Sequence, residues 1–189
     1  MKDDVRQTGR QLISDGDFNR LLMDILDWTG RYMDGEEAIS PHLLAFYALP
    51  DGRYDVNVLV SPGFVDGEAK ETMAVMGVKA AEEDGPLAAV FLVTEAWMSQ
   101  REARAGGPVV PPSQDPERVE IVIISGSTID QRQNQVIVKT ERENGRMHAG
   151  EVISAPYIDD DEDELQNRML AHFWRSYAEE MMWRSEDGR

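Results

Sequence analysis

The feature that most constrains the fold of this chain is an unbroken apolar run at residues 87–94, which reads Leu-Ala-Ala-Val-Phe-Leu-Val-Thr. The run has the length of a strand and is short for a helix. A strand with one face in solvent alternates apolar and polar side chains, and this run does not alternate. It therefore predicts a central β-strand that is buried on both faces.

Three further segments predict strands in the second half of the chain. Residues 119–124 are largely apolar, and shorter strand-like segments follow at residues 136–139 and 151–153. The connections at residues 125–133 and 141–150 are short and carry no helical periodicity. Because parallel pairing needs a long crossover, usually a helix, these strands are predicted to pair in an antiparallel manner. The small residues Ser125, Gly126 and Ser127 are interpreted as a turn at a strand end.

A β-hairpin is predicted earlier in the chain. Residues 43–49 are almost wholly apolar, and residues 54–60 alternate so that Tyr54, Val56, Val58 and Val60 share one face. Between the two segments, the Asp51-Gly52 pair supplies the positive φ that a tight connection needs.

Apolar residues recur at helical spacing in three places, which predicts three helices. The first begins near Asp17, with Asp15 or Asp17 as its cap. The second begins near Asp66. The third carries an apolar stripe at four-residue intervals, made of Leu165, Met169, Phe173, Tyr177 and Met181.

Together these patterns predict an α+β fold, with a mostly antiparallel sheet of five to six strands and about three helices packed on it. The 189 residues are predicted to form a single domain, 1–189, because a chain of this length can bury a core without a disulfide or metal. Residues 1–14 lack periodicity and are expected to form a loose N-terminal arm. Residues 99–117 are rich in proline and glycine and predict a long loop, of a kind that is usually functional or disordered.

The charge and the cysteine content narrow the possible functions. The formal net charge is −17, which repels phosphate backbones and anionic lipid, so neither nucleic acid nor membrane is an expected partner. One function related to nucleic acid is still compatible with this charge: an acidic protein can mimic DNA and bind a basic protein. The chain contains no cysteine, which excludes disulfides and thiol chemistry. No secretory signal or membrane span is recognisable, and a cytoplasmic location is expected.

No catalytic, metal or cofactor motif is found in the sequence. The three histidines, His42, His148 and His172, are widely separated and lie in no metal-ligand pattern. The acidic run at residues 159–164 could bind a hard cation, but its spacing does not fit a calcium loop. It is better explained as helix-end chemistry at the third helix. The sequence therefore predicts no metal and no cofactor, and it favours a non-enzymatic protein over an enzyme.

Four polar or aromatic residues beside the long loop are the candidate binding site. By the strand period, Glu95 and Trp97 share one face of their strand, and Arg118 and Glu120 share one face of the next. If the two strands pair, carboxylates and a guanidinium group would meet beside an indole. Arg118 would then receive an anionic group of a small molecule. The alternative is a structural ion pair at a strand end.

These two segments also carry a resemblance. Glu95-Ala96-Trp97-Met98, followed by Pro-Ser-x-Asp-Pro-Glu-Arg-Val-Glu at residues 112–120, resembles a pattern in uncharacterised bacterial and phage proteins. In those proteins, too, an apolar strand that ends in glutamate and tryptophan precedes a proline-rich loop and a second strand. The resemblance implies a bacterial or phage origin and no particular activity.

Three hypotheses for the function remain. The first is a non-enzymatic interaction or assembly protein that forms a homo-oligomer, because catalytic motifs are absent and apolar strands could pair across an interface. The second is a small-molecule-binding domain or enzyme that uses the polar cluster beside the loop. The third is the acidic DNA mimic.

Overall fold

The computed structural model describes residues 12–60, 69–83, 85–99, 114–153 and 164–186. Several predicted features fall outside these ranges: residues 1–11 of the arm, the helix start near Asp66, residues 100–113 of the loop and residues 159–163 of the acidic run. The described elements, in chain order, are α1 (Asp15–Met33), β1 (His42–Ala48), β2 (Tyr54–Val60), α2 (Ala69–Ala81), β3 (Leu87–Met98), β4 (Val119–Thr128), β5 (Gln133–Glu143), β6 (Arg146–Ile153) and α3 (Glu164–Glu186).

The six strands form one sheet in the order β2-β1-β3-β4-β5-β6, and every neighbouring pair is antiparallel. The predicted α+β fold is therefore confirmed. Strand β3 occupies the interior of the sheet, and its residues from Leu87 to Thr94 are all buried. Helices cover both of its faces, which explains why its apolar run shows no alternation.

The β1–β2 and β5–β6 hairpin turns use backbone with positive φ. In the β1–β2 turn, Gly52 has a φ of 83°, as the Asp-Gly pair predicted. In the β5–β6 turn, Asn144 and Gly145 have φ values of 53° and 82°. Asn-Gly is a strong signal for a two-residue hairpin. The prediction that residues 141–150 form a connection was therefore wrong, because most of them extend strands β5 and β6.

The turn predicted at Ser125, Gly126 and Ser127 was also wrong, since these residues lie inside β4 and are buried. Their small size has a tertiary cause. A Cβ on Gly126 would lie 2.5 Å from the ring of Phe91 and 3.0 Å from the ring of Phe18, so only glycine leaves room for these two rings.

Helix α1 packs on one face of the sheet. Its N-cap is Ser14, whose hydroxyl accepts a hydrogen bond from the backbone of Asp17 at 3.0 Å, so neither predicted aspartate is the cap. Ile13, within the predicted arm, is buried against the core. The buried stripe of the helix consists of Phe18, Leu22, Ile25, Thr29 and Met33.

Helices α2 and α3 pack on the opposite face and against each other. The two helices approach closely at Gly77, where a Cβ would collide with the backbone of α3 at Phe173 and Tyr177. Phe173 and Tyr177 are buried as predicted, whereas Met181 is 42% exposed and lies outside the core. Among the described residues, no helix has both the length and the apolar character needed to cross a membrane.

Candidate functional site

Pairing of β3 with β4 brings the predicted site residues together. Trp97 lies directly opposite Glu120 in this pair, and Glu95 lies directly opposite Val122. By the strand period, Glu95 and Trp97 lie on the face of β3 that also carries Phe91 and Val93, which is the face covered by α1.

Arg118 stacks on Trp97. Its guanidinium carbon lies 4.3 Å from the centroid of the indole, within the range of a cation–π contact. The turn that leads into β4 positions this arginine. Asp115 is buried, its carboxylate accepts a hydrogen bond from the backbone N–H of Glu117 at 2.9 Å, and its carbonyl accepts from the backbone of Arg118 at 3.2 Å. Trp97 is nevertheless 46% exposed, so one side of this pair faces solvent.

Glu120 forms its ion pair with Arg142. The guanidinium group of Arg142 donates two parallel hydrogen bonds of 2.6 Å to the carboxylate, the bidentate geometry that makes such pairs strong. These hydrogen bonds hold the pKa of Glu120 below its ordinary value and raise that of Arg142. Arg142 also donates to the carbonyls of Glu37, at 2.7 Å, and Gly145, at 2.9 Å.

Glu95 also has a partner within the chain. Its carboxylate accepts a hydrogen bond of 2.5 Å from the backbone N–H of Ile39, in the segment between α1 and β1. We call Glu95, Trp97, Arg118, Glu120 and Arg142 the polar cluster. It contains two carboxylates and two guanidinium groups, so its formal charge is zero. Its hydrogen bonds to the backbone of Glu37 and Ile39 hold the segment after α1 against the strand ends, which is typical of a structural network.

Arg142 was missed by the sequence analysis, although a signal for it existed. If Asn144-Gly145 is taken as a hairpin turn, Arg142 falls on β5, close to the turn. The structure then places it opposite Met147 of β6, on the sheet face that α1 covers, and within reach of Glu120 on β4.

A second candidate surface is the outer edge of β2, which we call the β2 edge and define as residues 54–60. Strand β2 ends the sheet, and no other described strand pairs with its outer side. Val56 and Val58 are 47% and 43% exposed, on the same face as the core residues Leu44 and Phe46, which lie opposite them in the β1–β2 pair. Exposed edge strands usually carry lysine, proline or a bulge that discourages pairing. This strand, Tyr-Asp-Val-Asn-Val-Leu-Val, has no lysine and no proline, and its pairing with β1 is regular.

The histidines do not form a site. His148 contacts the carboxylate of Asp34 through Nδ1 at 2.7 Å. His42 is buried, its Nδ1 has no hydrogen-bond partner, and its ring packs edge-on against Trp28 and Tyr32. Within the described ranges, no group of histidine, aspartate and glutamate side chains could hold a metal ion.

No protein-family model, no curated protein and no solved structure matches this chain. Its function is therefore inferred from its own residues.

Proposed function

We propose that this protein is a non-enzymatic interaction protein that associates with a second copy of itself through the β2 edge. One observation carries the proposal: a seven-residue edge strand with two exposed valines and with no lysine, proline or bulge to discourage pairing. Unpaired N–H and C=O groups on such an edge are a template for another strand.

The carboxylates of the polar cluster are already hydrogen-bonded within the chain, which supports the same proposal. A ligand site keeps charged groups available, whereas the carboxylate of Glu120 is held by two hydrogen bonds from Arg142, and that of Glu95 accepts one from Ile39. A small anion that binds Arg142 or the N–H of Ile39 would have to displace these bonds. The cluster is better explained as structural support.

The expected association is weak. Burying a valine side chain completely contributes about 1.5–3 kcal/mol, and the four half-exposed valines of a pair would contribute about 3–6 kcal/mol together. Backbone hydrogen bonds add about 0.5–1.5 kcal/mol each. The lost freedom of two chains costs about 4–15 kcal/mol. The gains and the cost are of similar size, so the net association is weak, and a concentration series from about 10 μM to about 1 mM is the range in which to look for it.

Charge opposes the association and provides a test of it. Each copy carries a formal charge of −17, so two copies repel each other over the Debye length, which is about 10 Å at 0.1 M salt. Added salt screens this repulsion and leaves the apolar contact intact. Self-association is therefore expected to strengthen as salt is added, unlike the binding of a basic partner, which salt would weaken.

The proposal is tested by light scattering on matched variants. Val58→Lys places a charge on the β2 edge and should leave the protein monomeric at concentrations where the wild type forms dimers. Val152→Lys is the control, because Val152 is 50% exposed on β6, at the opposite end of the sheet from β2. Equal dimerisation of both variants and the wild type would remove the β2 edge from the proposal. A wild type that stays monomeric at high salt and high concentration would refute self-association.

Two further expectations belong to the proposal and rest on the sequence alone. They are a cytoplasmic location and a bacterial or phage origin, the latter supported by the resemblance of residues 95–98 and 112–120.

A second candidate function is small-molecule binding at the polar cluster, favoured by one observation. Trp97 is 46% exposed and carries the guanidinium group of Arg118 on its ring, which together offer a flat surface and a positive charge. A thermal-shift screen with metabolite anions tests this function, since a ligand of the native state raises the melting temperature. A ligand that stabilises the wild type and Arg31→Ala, but not Arg118→Ala, would support it. A screen without any hit would argue against it.

A further inference from the structure

We propose that two copies pair β2 with β2 in an antiparallel manner about a twofold axis that passes beside Asn57, so that two six-stranded sheets join into one. This inference rests on the proposed function and specifies its partner, a second copy, and its register. A twofold axis makes the interface self-complementary. If one residue of the first copy contacts a second residue of the other copy, the same two positions are also in contact with the copies exchanged.

The hydrogen bonds of the hairpin decide which backbone groups are available at the β2 edge. The N–H of Leu49 donates to the carbonyl of Arg53 at 2.8 Å, whereas the N–H of Ala48 points away from β2 and donates to the carbonyl of Pro86 at 2.9 Å. Residues 49 and 53 therefore occupy a hydrogen-bonded position of the β1–β2 ladder, and residues 48 and 54 a non-hydrogen-bonded one. Such pairs alternate along an antiparallel ladder. Residues 55, 57 and 59 therefore point their N–H and C=O groups to β1, and residues 54, 56 and 58 point theirs to the open edge.

This alternation limits the possible registers. A residue with outward backbone groups must face another such residue, so Val56 can pair with Val58 of the second copy but not with its Asn57. Among the allowed registers, only the one centred on Asn57 overlaps all seven residues of β2. Registers centred on Val56 or Val58 leave two residues of each strand unpaired, and they lose the corresponding hydrogen bonds.

The side chains favour the same register. It places Val56 of each copy opposite Val58 of the other, which joins the exposed valines of both copies into one apolar strip. It also places Asp55 opposite Leu59 of the other copy. A register centred on Asp55 would set two carboxylates directly opposite each other, which is destabilising.

In this arrangement, the carboxylate of Asp55 and the second copy compete for the same backbone N–H, that of Val56. In the single chain it accepts a hydrogen bond from the outward N–H of Val56 at 2.9 Å. In the pair, that N–H is needed by the carbonyl of Val58 in the other copy. Asp55→Ala removes the competing acceptor and a negative charge from each copy, and we expect it to strengthen the association several-fold.

Single cysteines test the register directly, because the natural chain contains no cysteine. In the proposed pair, the Cα atoms of the two copies at position 57 form a non-hydrogen-bonded pair about 4.5 Å apart. This distance lies within the range that a disulfide spans. At position 55 the two copies are offset by four residues, about 13 Å along the strand, and cannot be bridged without a shift.

Asn57→Cys is therefore expected to form a covalent dimer under mild oxidation at least about tenfold faster than Asp55→Cys or the control Val152→Cys, which lies at the opposite end of the sheet. Far-UV circular dichroism verifies that each variant is folded. If Val56→Cys or Val58→Cys crosslinks fastest, the register is overturned. If wild-type dimers form and all of these variants crosslink equally slowly, pairing through β2 is overturned while self-association stands. If the wild type is monomeric, the proposed function itself fails.

Discussion

The close approach of helices α2 and α3 at Gly77 makes one substitution a sharp test of the fold. Gly77 lies in the middle of α2, where alanine would normally be the better helix former by about 1 kcal/mol. An added Cβ would, however, lie 3.0 Å from the backbone nitrogen of Tyr177 and 3.2 Å from the carbonyl carbon of Phe173, and it would overlap the carbonyl oxygen of Phe173. These are backbone atoms, so no rotation of a side chain can relieve the contact.

The expected change in the free energy of unfolding for Gly77→Ala is the sum of two opposing contributions. Overpacking of a core typically costs about 1–3 kcal/mol, and a backbone collision belongs at the upper end. Subtracting the helix propensity of alanine leaves a net destabilisation of about 2 kcal/mol for Gly77→Ala. For a chain of this size, that corresponds to a melting temperature lowered by about 4–8 °C.

Gly30→Ala is the matched control, because Gly30 also lies inside a helix. Its added Cβ would meet only the Cβ of Ala149, at the ordinary contact distance of 3.9 Å. Gly30→Ala should therefore stabilise the protein by about 0.5–1 kcal/mol. Urea unfolding followed by far-UV circular dichroism measures both variants. If Gly77→Ala is neutral or stabilising like its control, the packing of α2 on α3 described above is incorrect.

Two further substitutions test local features. Glu120→Gln should destabilise the protein by about 1–2 kcal/mol near pH 7, because it weakens the bidentate pair with Arg142. The native pKa of Glu120 is lowered, so its stabilising effect is present above the ordinary value of 4.5 and is lost as the pH falls through the native pKa. The difference in the free energy of unfolding between wild type and variant, measured by urea unfolding, should therefore decrease below pH 4.5. A difference that does not change with pH would contradict the ionic role of Glu120. Ser14→Ala should lower the free energy of unfolding by about 1 kcal/mol, because it removes the cap of α1. The control Ser185→Ala, near the end of α3, should change that free energy by less than about 0.5 kcal/mol. Equal effects of the two substitutions would exclude the capping role.

The buried strands and the helical stripes could be predicted from the sequence, because burial leaves a direct pattern of apolar residues. The run at β3 and the alternation at β2 are examples. The lengths of β5 and β6 could not be predicted in this way. Their outer parts are exposed and polar, so they lack an apolar pattern, and only the turn at Asn144 and Gly145 marks them.

Two other errors arose from contacts between distant parts of the chain. Gly126 is small because the rings of Phe91 and Phe18 lie over it, and no local pattern reveals that. Met181 continues the periodicity of α3 but is exposed. Tyr177 is the last residue of α3 in the buried cluster, and the helix continues beyond it to Glu186.

The candidate site was predictable in part. Pairing of two apolar strands is enough to bring Trp97 and Glu120 opposite each other. The choice of ionic partner was not predictable from those strands alone, since Arg142 comes from β5 and Arg118 stacks on the indole instead. Exposure of Val56 and Val58 depends on how far α1 reaches across the sheet, which the periodicity of β2 does not reveal.

Sedimentation equilibrium of the wild-type protein measures self-association without any substitution. The mass of one chain is 21.3 kDa. Across a concentration series from about 10 μM to about 1 mM, we expect the measured mass to rise from this value toward twice this value, and the rise should begin at lower protein concentration when salt is added. A mass that stays at 21.3 kDa at every concentration and salt level would contradict it.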